Sequence, residues 1–309
     1  MEMDTKNKKI KLVTHNGSFH ADDVFATATL SLMLEKEGLD FEIIRTRDPE
    51  IIKNGDYVYD VGGVYDEKAN RFDHHQKDFN EKRENGILYS SFGLVWKKFG
   101  EELCGSKEIA NRVDKRIVQQ IDANDNGISI STSIIPNVIP YGIHDVIFTF
   151  HPNFKEENPD DYGTFLKSLE FVKSILLKEI EEARDLDYIH KYIFNVINNN
   201  KSDSKILILD EFVPREKIYV EMVDYPNFLF VVAPRNIKKE DWKLIILLKK
   251  IGSFEGRKFL PKSWAGLRDV ELQNVTEVKD AIFCHRALFM AIAKTKEGAI
   301  KLAELALNS

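Results

Sequence analysis

Apolar and polar positions along the chain follow two periods, and the switches between them mark the elements. Residues 9–14 (KIKLVT) form a short β-branched run that predicts a strand. Val24, Phe25, Ala28, Leu32 and Met33 then recur near helical spacing and predict a helix over 22–37. Residues 41–45 (FEIIR) and 57–60 (YVYD) predict two more strands, and this order of elements implies a parallel α/β sheet with short connections. Residues 91–101 predict a helix with Leu94, Val95 and Phe99 inward and Trp96 in the core or at a domain contact rather than as a stacking platform; 108–121 predict another. Residues 78–86 are charged and read as a loop, and 129–141, with two prolines, as an irregular connection. A long helical pattern covers 163–198, with Leu166, Leu169, Val172, Leu176, Ile180 and Ala183 on one apolar face. Phe171, Ile175 and Leu177 widen that face, and Tyr188, Tyr192 and Phe194 are expected in the core. Strands follow at 205–209, 228–233 and 243–248, then an amphipathic helix over 295–307 with Ala299, Leu302, Leu305 and Ala306 inward. The expected fold is α/β: a parallel-sheet domain over 1–160, a connecting helical region over 161–200 and a smaller α/β domain over 201–309.

A length of 309 residues supports two domains with real cores. The formal net charge of -6 argues against holding duplex nucleic acid by bulk charge, but 235–268 is locally rich in lysine and arginine. That run is the candidate phosphate-facing surface, with a solvated basic face as the plainer alternative. Two cysteines, Cys104 and Cys284, lie far apart in the sequence and point to a reducing compartment rather than a disulfide scaffold. No apolar run is long enough to span a membrane, and the polar start MEMDTKNKKI has no signal-peptide core, so a cytoplasmic protein is expected.

The candidate chemistry lies where the apolar patterns stop. The first strand runs into His15, His20 and Asp22 on a loop before a helix. The third strand ends in Asp60, followed by Gly62 and Gly63, and Asp73-His74-His75-Gln76 comes about a dozen residues later. A helix opens into Asp122-Ala123-Asn124-Asp125-Asn126-Gly127, which taken alone is a good turn former. Asp-His-His alone reads more readily as a solvated turn; a second cluster upstream and a third downstream weigh against that reading. Ligand sites in parallel α/β sheets form outside the carboxyl ends of the strands. Mixed imidazole and carboxylate donors suit manganese, and also iron or zinc; an all-oxygen set would indicate magnesium or calcium. His15, His20, Asp22, Asp60, His74 and Asp125, with Asp73, His75 and Asp122 close by, exceed what one ion uses. They suit two cations roughly 3.5–4 Å apart bridged by a carboxylate, for which Asp60 is the choice. No P-loop, dinucleotide-binding glycine fingerprint or Gly-x-Ser-x-Gly elbow is present.

Together the stretches THNGSFHADD, VYDVGGVYDEKANRFDHHQKDF, IDANDNGI, SWAGLRDVEL and CHRALFMAIAKTKEGA resemble the melanocyte-proliferating-gene-1 family, itself similar to the DHH phosphoesterases. The resemblance covers nearly the whole chain. It implies an N-terminal DHH-like metal-binding catalytic domain and a C-terminal substrate-binding domain, and metal-dependent phosphodiester hydrolysis with 3′–5′ exonuclease action on RNA. It implies that His15, His20 and Asp60 hold one metal and that Asp22, Asp60, His74 and Asp125 hold the other, with Asp122 competing with Asp125. His75 would touch the phosphate or assist the leaving group, with Asp73 beside it as the second catalytic candidate. Trp264, Arg268, His285 and Arg286 fall in matching segments and are the substrate-binding candidates. There are two departures. His20 stands where related enzymes more often carry Asp, and residues 289–294 (FMAIAK) lack the Gly-Gly-His of eukaryotic members.

The resulting expectation is a two-Mn2+ exoribonuclease acting on RNA or a short oligonucleotide, with Mg2+, Fe2+ or Zn2+ as other candidate metals. No membrane partner is expected, and homo-oligomerisation is left open. The alternatives are a small-substrate phosphatase or pyrophosphatase on the same metal core, and a non-catalytic metal-containing nucleotide-binding protein.

Overall fold

The structure, a computed structural model, describes residues 9–200 and 203–309; the polar N-terminal start lies largely outside them. The chain divides into two compact units, Met1–Arg184 and Asp185–Ser309.

In the first unit, β1 (Ile10–Thr14), β2 (Phe41–Arg45), β3 (Tyr57–Tyr59), β4 (Tyr65–Asp66) and β5 (Arg71–Phe72) form one sheet in the order β2-β1-β3-β5-β4. The β2–β1, β1–β3 and β3–β5 pairs are parallel, and β4 alone runs antiparallel. The carboxyl ends of β1, β3 and β5 therefore open side by side at one edge of the sheet. Helix α1 (Ala21–Glu37) is buried continuously from Ala21 to Leu34, more than its apolar spacing predicts, because it is enclosed by the sheet on one side and by α3 (Ser91–Cys104) on another. The short α2 (Pro49–Lys53) precedes β3.

The predicted 108–121 helix is one helical run in three parts: α4 (Lys107–Val113), a π-helical turn (Asp114–Val118) and α5 (Gln119–Asp125). Residues 129–141 are irregular, and α6 (Ile143–Phe148) follows. Trp96 is core, its indole N–H donating to Ala110 O at 3.1 Å.

Helix α7 (Asp161–Asn198) carries Phe165, Leu169, Val172, Leu176, Ile180 and Ala183 into the core of the first unit, and Ile189 and Ile193 into a core of the second. Of three aromatics expected inside, two stand outside the core, while Tyr192 packs against the core of the second unit. Tyr188 and Phe194 are 56% and 48% exposed, and Tyr192 is half-buried. Each is one position off the Ile189–Ile193 stripe, and one residue turns a helix by about 100°. Phe171 and Leu177 are likewise exposed rather than widening the apolar face.

The second unit holds β6 (Ile206–Ile208), α8 (Arg215–Glu221), β7 (Phe230–Pro234), β8 (Trp242–Ile246), α9 (Asp269–Thr276), β9 (Ala281–Cys284), β10 (Met290–Ala293) and α10 (Lys296–Leu307). Its sheet runs β6-β7-β8-β10-β9, with only β6–β7 parallel. The FMAIAK segment that lacks glycines is mostly β10, with Ala291 and Ala293 fully buried. Side chains that pack in a strand interior suit this position better than glycine does.

Candidate metal centre and active-site cavity

Each donor follows the end of a parallel strand or sits at a helix terminus. His15 directly follows β1, Asp60 directly follows β3, and His74 lies two residues past β5. Asp60 adopts φ +56°, a left-handed conformation that costs an ordinary residue about 1 kcal/mol. It swings the carboxylate off the strand line, and Gly62 (φ +98°) and Gly63 (φ +67°) complete the turn.

The loop between β1 and α1 is pinned from outside. Arg45 donates to Gly17 O at 2.7 Å, with its guanidinium 4.5 Å from the Phe165 ring centre. His151 stacks on Phe19 at 4.1 Å and donates from Nδ1 to Phe148 O at 2.9 Å. Its Nε2 is then free to accept the Phe19 N–H at 3.1 Å.

Asp60 stands at the centre. Its Oδ2 lies 3.2 Å from His15 Nε2, and its Oδ1 lies 3.5 Å from His74 Nε2 and 3.6 Å from His75 Nδ1. His74 Nε2 is also 3.2 Å from Asp125 Oδ2 and 3.9 Å from Asp22 Oδ2. His15 donates from Nδ1 to Asn16 O at 3.1 Å, which leaves Nε2 facing Asp60 and open to a ligand. Asp73 is buried and does not face the cluster as a donor. It accepts Gly63 N–H at 2.5 Å, and His75 Nδ1–H at 2.7 Å, which orients that imidazole.

Burial and mutual repulsion set the electrostatics. Burial pushes Asp22 well above the usual carboxylate range, and the charges of Asp125 and Asp60 push it further. Burial also raises Asp125, against the pull of His74. Asp23, behind the cluster, is pushed up to about 7 by burial, with the charge of His15 opposing. Burial pushes Asp60 up as well, but the adjacent His15 and His74 imidazoles outweigh it and hold Asp60 below the usual range. Burial pulls His15 down, yet Asp60 and Asp23 together raise it. His20 is lowered, by burial and then by His15.

A divalent cation fits this set. Three groups of donors each bring their atoms within 4.8 Å of one another: His15, His20 and Asp60; Asp60, His74 and His75; and Asp22, His74 and Asp125. His74 Nε2 is buried with no hydrogen-bond partner, a state that a metal bond relieves. Asp60 belongs to the first two of these groups, and His74 to the last two, so the three groups adjoin one another.

Asp122, the competitor of Asp125, is fully buried and engaged by Arg83, Ser90 Oγ and Gly93 N–H. Of the two, only Asp125 reaches the cluster. The donors open into a cavity of about 960 Å3 whose wall also includes Arg47, Asn124, His144 and Phe148. Of these four, Asn124 lies inside the Asp122–Gly127 motif, and the other three carry no sequence mark of a site. Arg47 and His144 lie in stretches without a motif, and Phe148 carries no mark distinguishing it from core aromatics.

The C-terminal candidates lie in the second unit. Trp264 is 4% exposed and packs in that unit's core. Arg268 and Arg286 are exposed; Arg268 sits 5.0 Å from the Phe283 ring centre, and His285 lies 4.3 Å from Phe289. The basic run over 235–268 is partly structural. Lys243 is buried and donates to Val213 O at 2.7 Å, and Arg257 donates to the carbonyls of Met222, Tyr225 and Phe228. Arg235 pairs with Asp241 at 2.9 Å.

Imidazoles and carboxylates gathered at the carboxyl edge of a parallel sheet define a candidate divalent-metal centre of the hydrolytic kind. The MYG1 exonuclease family model, described as an uncharacterised protein family (UPF0160), matches residues 11–307, and the chain belongs to this family. It is 29% identical to "MYG1 protein C694.04c" of Schizosaccharomyces pombe, covering 98% of each chain. It is 28% identical to "MYG1 exonuclease" of Homo sapiens, covering 96% of this chain and 85% of that one. The solved structure of RecJ in complex with Mg2+ from Thermus thermophilus aligns over 97% of this chain and 50% of that one. The TM-score is 0.29 and the identity 12%, too loose to carry an argument about fold or activity.

Proposed function

We propose that this chain is a metal-dependent phosphodiester hydrolase that shortens RNA or a short oligonucleotide from its 3′ end, using two divalent cations, with Mn2+ the first choice. The observation that carries the reading is the convergence of three sequence-distant donor groups on Asp60 and His74 in one cavity. The MYG1 exonuclease relatives support the reaction class. A pair of bound cations supplies Lewis acidity toward the phosphoryl oxygens and a nucleophile at neutral pH.

The chain's own groups divide the remaining work. His15, His20 and Asp60 would hold one ion; Asp22, Asp60, His74 and Asp125 would hold the other. Asp73 accepts a hydrogen bond from His75 Nδ1–H, which leaves Nε2 to contact the phosphate or to hand a proton to the leaving oxygen. Hydrogen bonding to Asp73 raises the pKa of His75, which favours its acid form near neutrality. Arg47, 3.4 Å from the His15 ring, offers a guanidinium to a phosphate at the cavity wall. Phe148, 66% exposed in the same wall, offers a face on which a base can stack. In the second unit, Arg268, His285 and Arg286 are offered as backbone contacts, with Trp264 supporting them from the core. Among the described residues no helix is long and apolar enough to cross a membrane, and the two buried free thiols suit a reducing, cytoplasmic setting.

The test is the purified chain with Mn2+ on 5′-labelled single-stranded RNA, with pyrophosphate in parallel. The reading expects products shortened stepwise from the 3′ end. Turnover of pyrophosphate alone would transfer the same metal centre to small substrates. Bound metal with neither substrate consumed would make the chain a binding protein.

A further inference from the structure

Asp22 is not held by its own helix. Although it sits at the start of α1, its carboxylate is gripped by the amino end of α3, reached across the core. Ser90 Oγ donates to Asp22 Oδ1, Phe92 N–H donates to the same oxygen at 2.7 Å, and Ser91 N–H donates to Oδ2 at 3.1 Å. Ser90 precedes α3 but does not cap it with its own side chain; the carboxylate of Asp22 serves the exposed N–H groups instead.

A second carboxylate occupies the next position of the same helix end. Asp122 Oδ1 accepts Gly93 N–H at 3.1 Å and lies 2.5 Å from Ser90 Oγ. A Cβ on Gly93 would come within 2.1 Å of Asp122 Oδ2, so glycine is what permits this approach. The other side of Asp122 is bound by Arg83, whose second nitrogen donates to Asp114 at 2.7 Å, and whose guanidinium covers the Tyr89 ring at 4.1 Å. Asp22, Ser90 and Asp122 are each at most 1% exposed, and Arg83 is 9% exposed.

The Ser90 hydroxyl has one proton and two carboxylates within reach. Arg83 and Gly93 N–H satisfy Asp122 from other directions, which leaves the Ser90 proton free to serve Asp22. With Oδ1 held by two donors, the carboxylate plane of Asp22 is set, and Oδ2 faces His74 and Asp125.

We infer that Ser90, backed by the Asp122–Arg83 pair, is a positioning residue that sets the aim of Asp22 and thereby the affinity of the metal subsite formed by Asp22, His74 and Asp125. The inference rests on the two-metal reading. It predicts selectivity, because His15, His20 and Asp60 have no contact with Ser90 among their hydrogen bonds and ion pairs given above.

The experiment is calorimetric titration of the metal-stripped full chain with Mn2+, comparing wild type, Ser90→Ala, Asp22→Asn and Ser31→Ala. Asp22→Asn identifies which binding event belongs to the Asp22 subsite. Ser31 on α1 is a fully buried serine whose hydroxyl has no hydrogen-bond partner, so Ser31→Ala controls for loss of a core hydroxyl. Expected is a loss of about 10–100-fold in affinity at the Asp22 event in Ser90→Ala, the range for removing a group that orients a ligand. The other event stays at its wild-type affinity, and Ser31→Ala matches wild type at both. Ser90→Ala indistinguishable from wild type, or weakened equally at both events, overturns the positioning role while leaving the two-metal reading intact. A wild-type chain that takes up no Mn2+ brings down that reading itself, and the positioning role with it.

Discussion

The two units each carry a five-stranded sheet, but among the described residues only the first gathers candidate metal donors at a sheet edge. In the first unit four neighbouring strands run parallel, so their carboxyl ends open together and deliver His15, Asp60 and His74 to adjacent places. In the second, most neighbours are antiparallel and successive strand ends fall on opposite edges. Among the described residues, all three donor groups able to hold a metal lie in the first unit. The second unit spreads its cations out, over an aromatic ring (Arg268 on Phe283), into backbone carbonyls (Arg257 on four) or onto single carboxylates (Arg235 on Asp241). Topology thus decides where charge can be concentrated, and buried carboxylates gathered this way need a cation, hydrogen bonds or a proton to offset their burial.

The strongest way to break this comparison is Asp60→Ala. Because both of its oxygens face histidines of different donor groups, its loss is expected to reduce hydrolysis by on the order of 10³-fold, measured as turnover of single-stranded RNA with Mn2+. Arg268→Ala in the second unit should raise KM and leave kcat nearly unchanged. Comparable damage from both would mean that the chemistry is not confined to the first unit.

Next in size is Arg83→Met. It leaves the buried Asp122 carboxylate without its cation and should cost about 3–5 kcal/mol in urea unfolding of the first unit. Mn2+ at about 100 times its dissociation constant should in turn stabilise the wild-type first unit by about 2.7 kcal/mol for each ion bound, read as a rise in Tm, and a chelator should reverse it. Asp60→Ala should show little of that rise.

The smallest effect sharpens the contrast from the other side. Burial pushes Lys243 down to about 8 from the ordinary value of 10.5. Below about pH 8 both folded and unfolded chains hold this proton, and the full penalty for a buried ammonium is present. Between the two values the unfolded chain binds more protons, so stability rises with pH. Wild type should gain about 1–3 kcal/mol relative to Lys243→Met between pH 8 and 10, allowing for the hydrogen bond to Val213 O that offsets part of the burial. A flat difference across that range would show that Lys243 is protonated normally.

Much of the first unit is legible in the sequence, because its chemistry sits at abrupt ends of short apolar runs. Thr14-His15 and Tyr59-Asp60 are such breaks, and both are placed where parallel strands would end. The choice between Asp122 and Asp125 is not legible. Three residues on a helix turn the side chain by about 300°, and a π-helical turn just upstream shifts the phase further. Arg83 and Ser90 were equally hidden. Arg83 lies in a charged stretch that reads as solvated, and its partner Asp122 is 39 positions away. The second unit was harder to read. Residues 281–284 and 290–293 are short strands joined by His285–Phe289, and neither is long enough to show an alternating pattern on its own.

The most direct test is anomalous diffraction from crystals of the full chain grown with Mn2+. The account predicts two peaks on either side of the Asp60 carboxylate, one contacted by His15 and His20, the other by Asp22, His74 and Asp125. A single peak, or manganese bound away from Asp60, would contradict it.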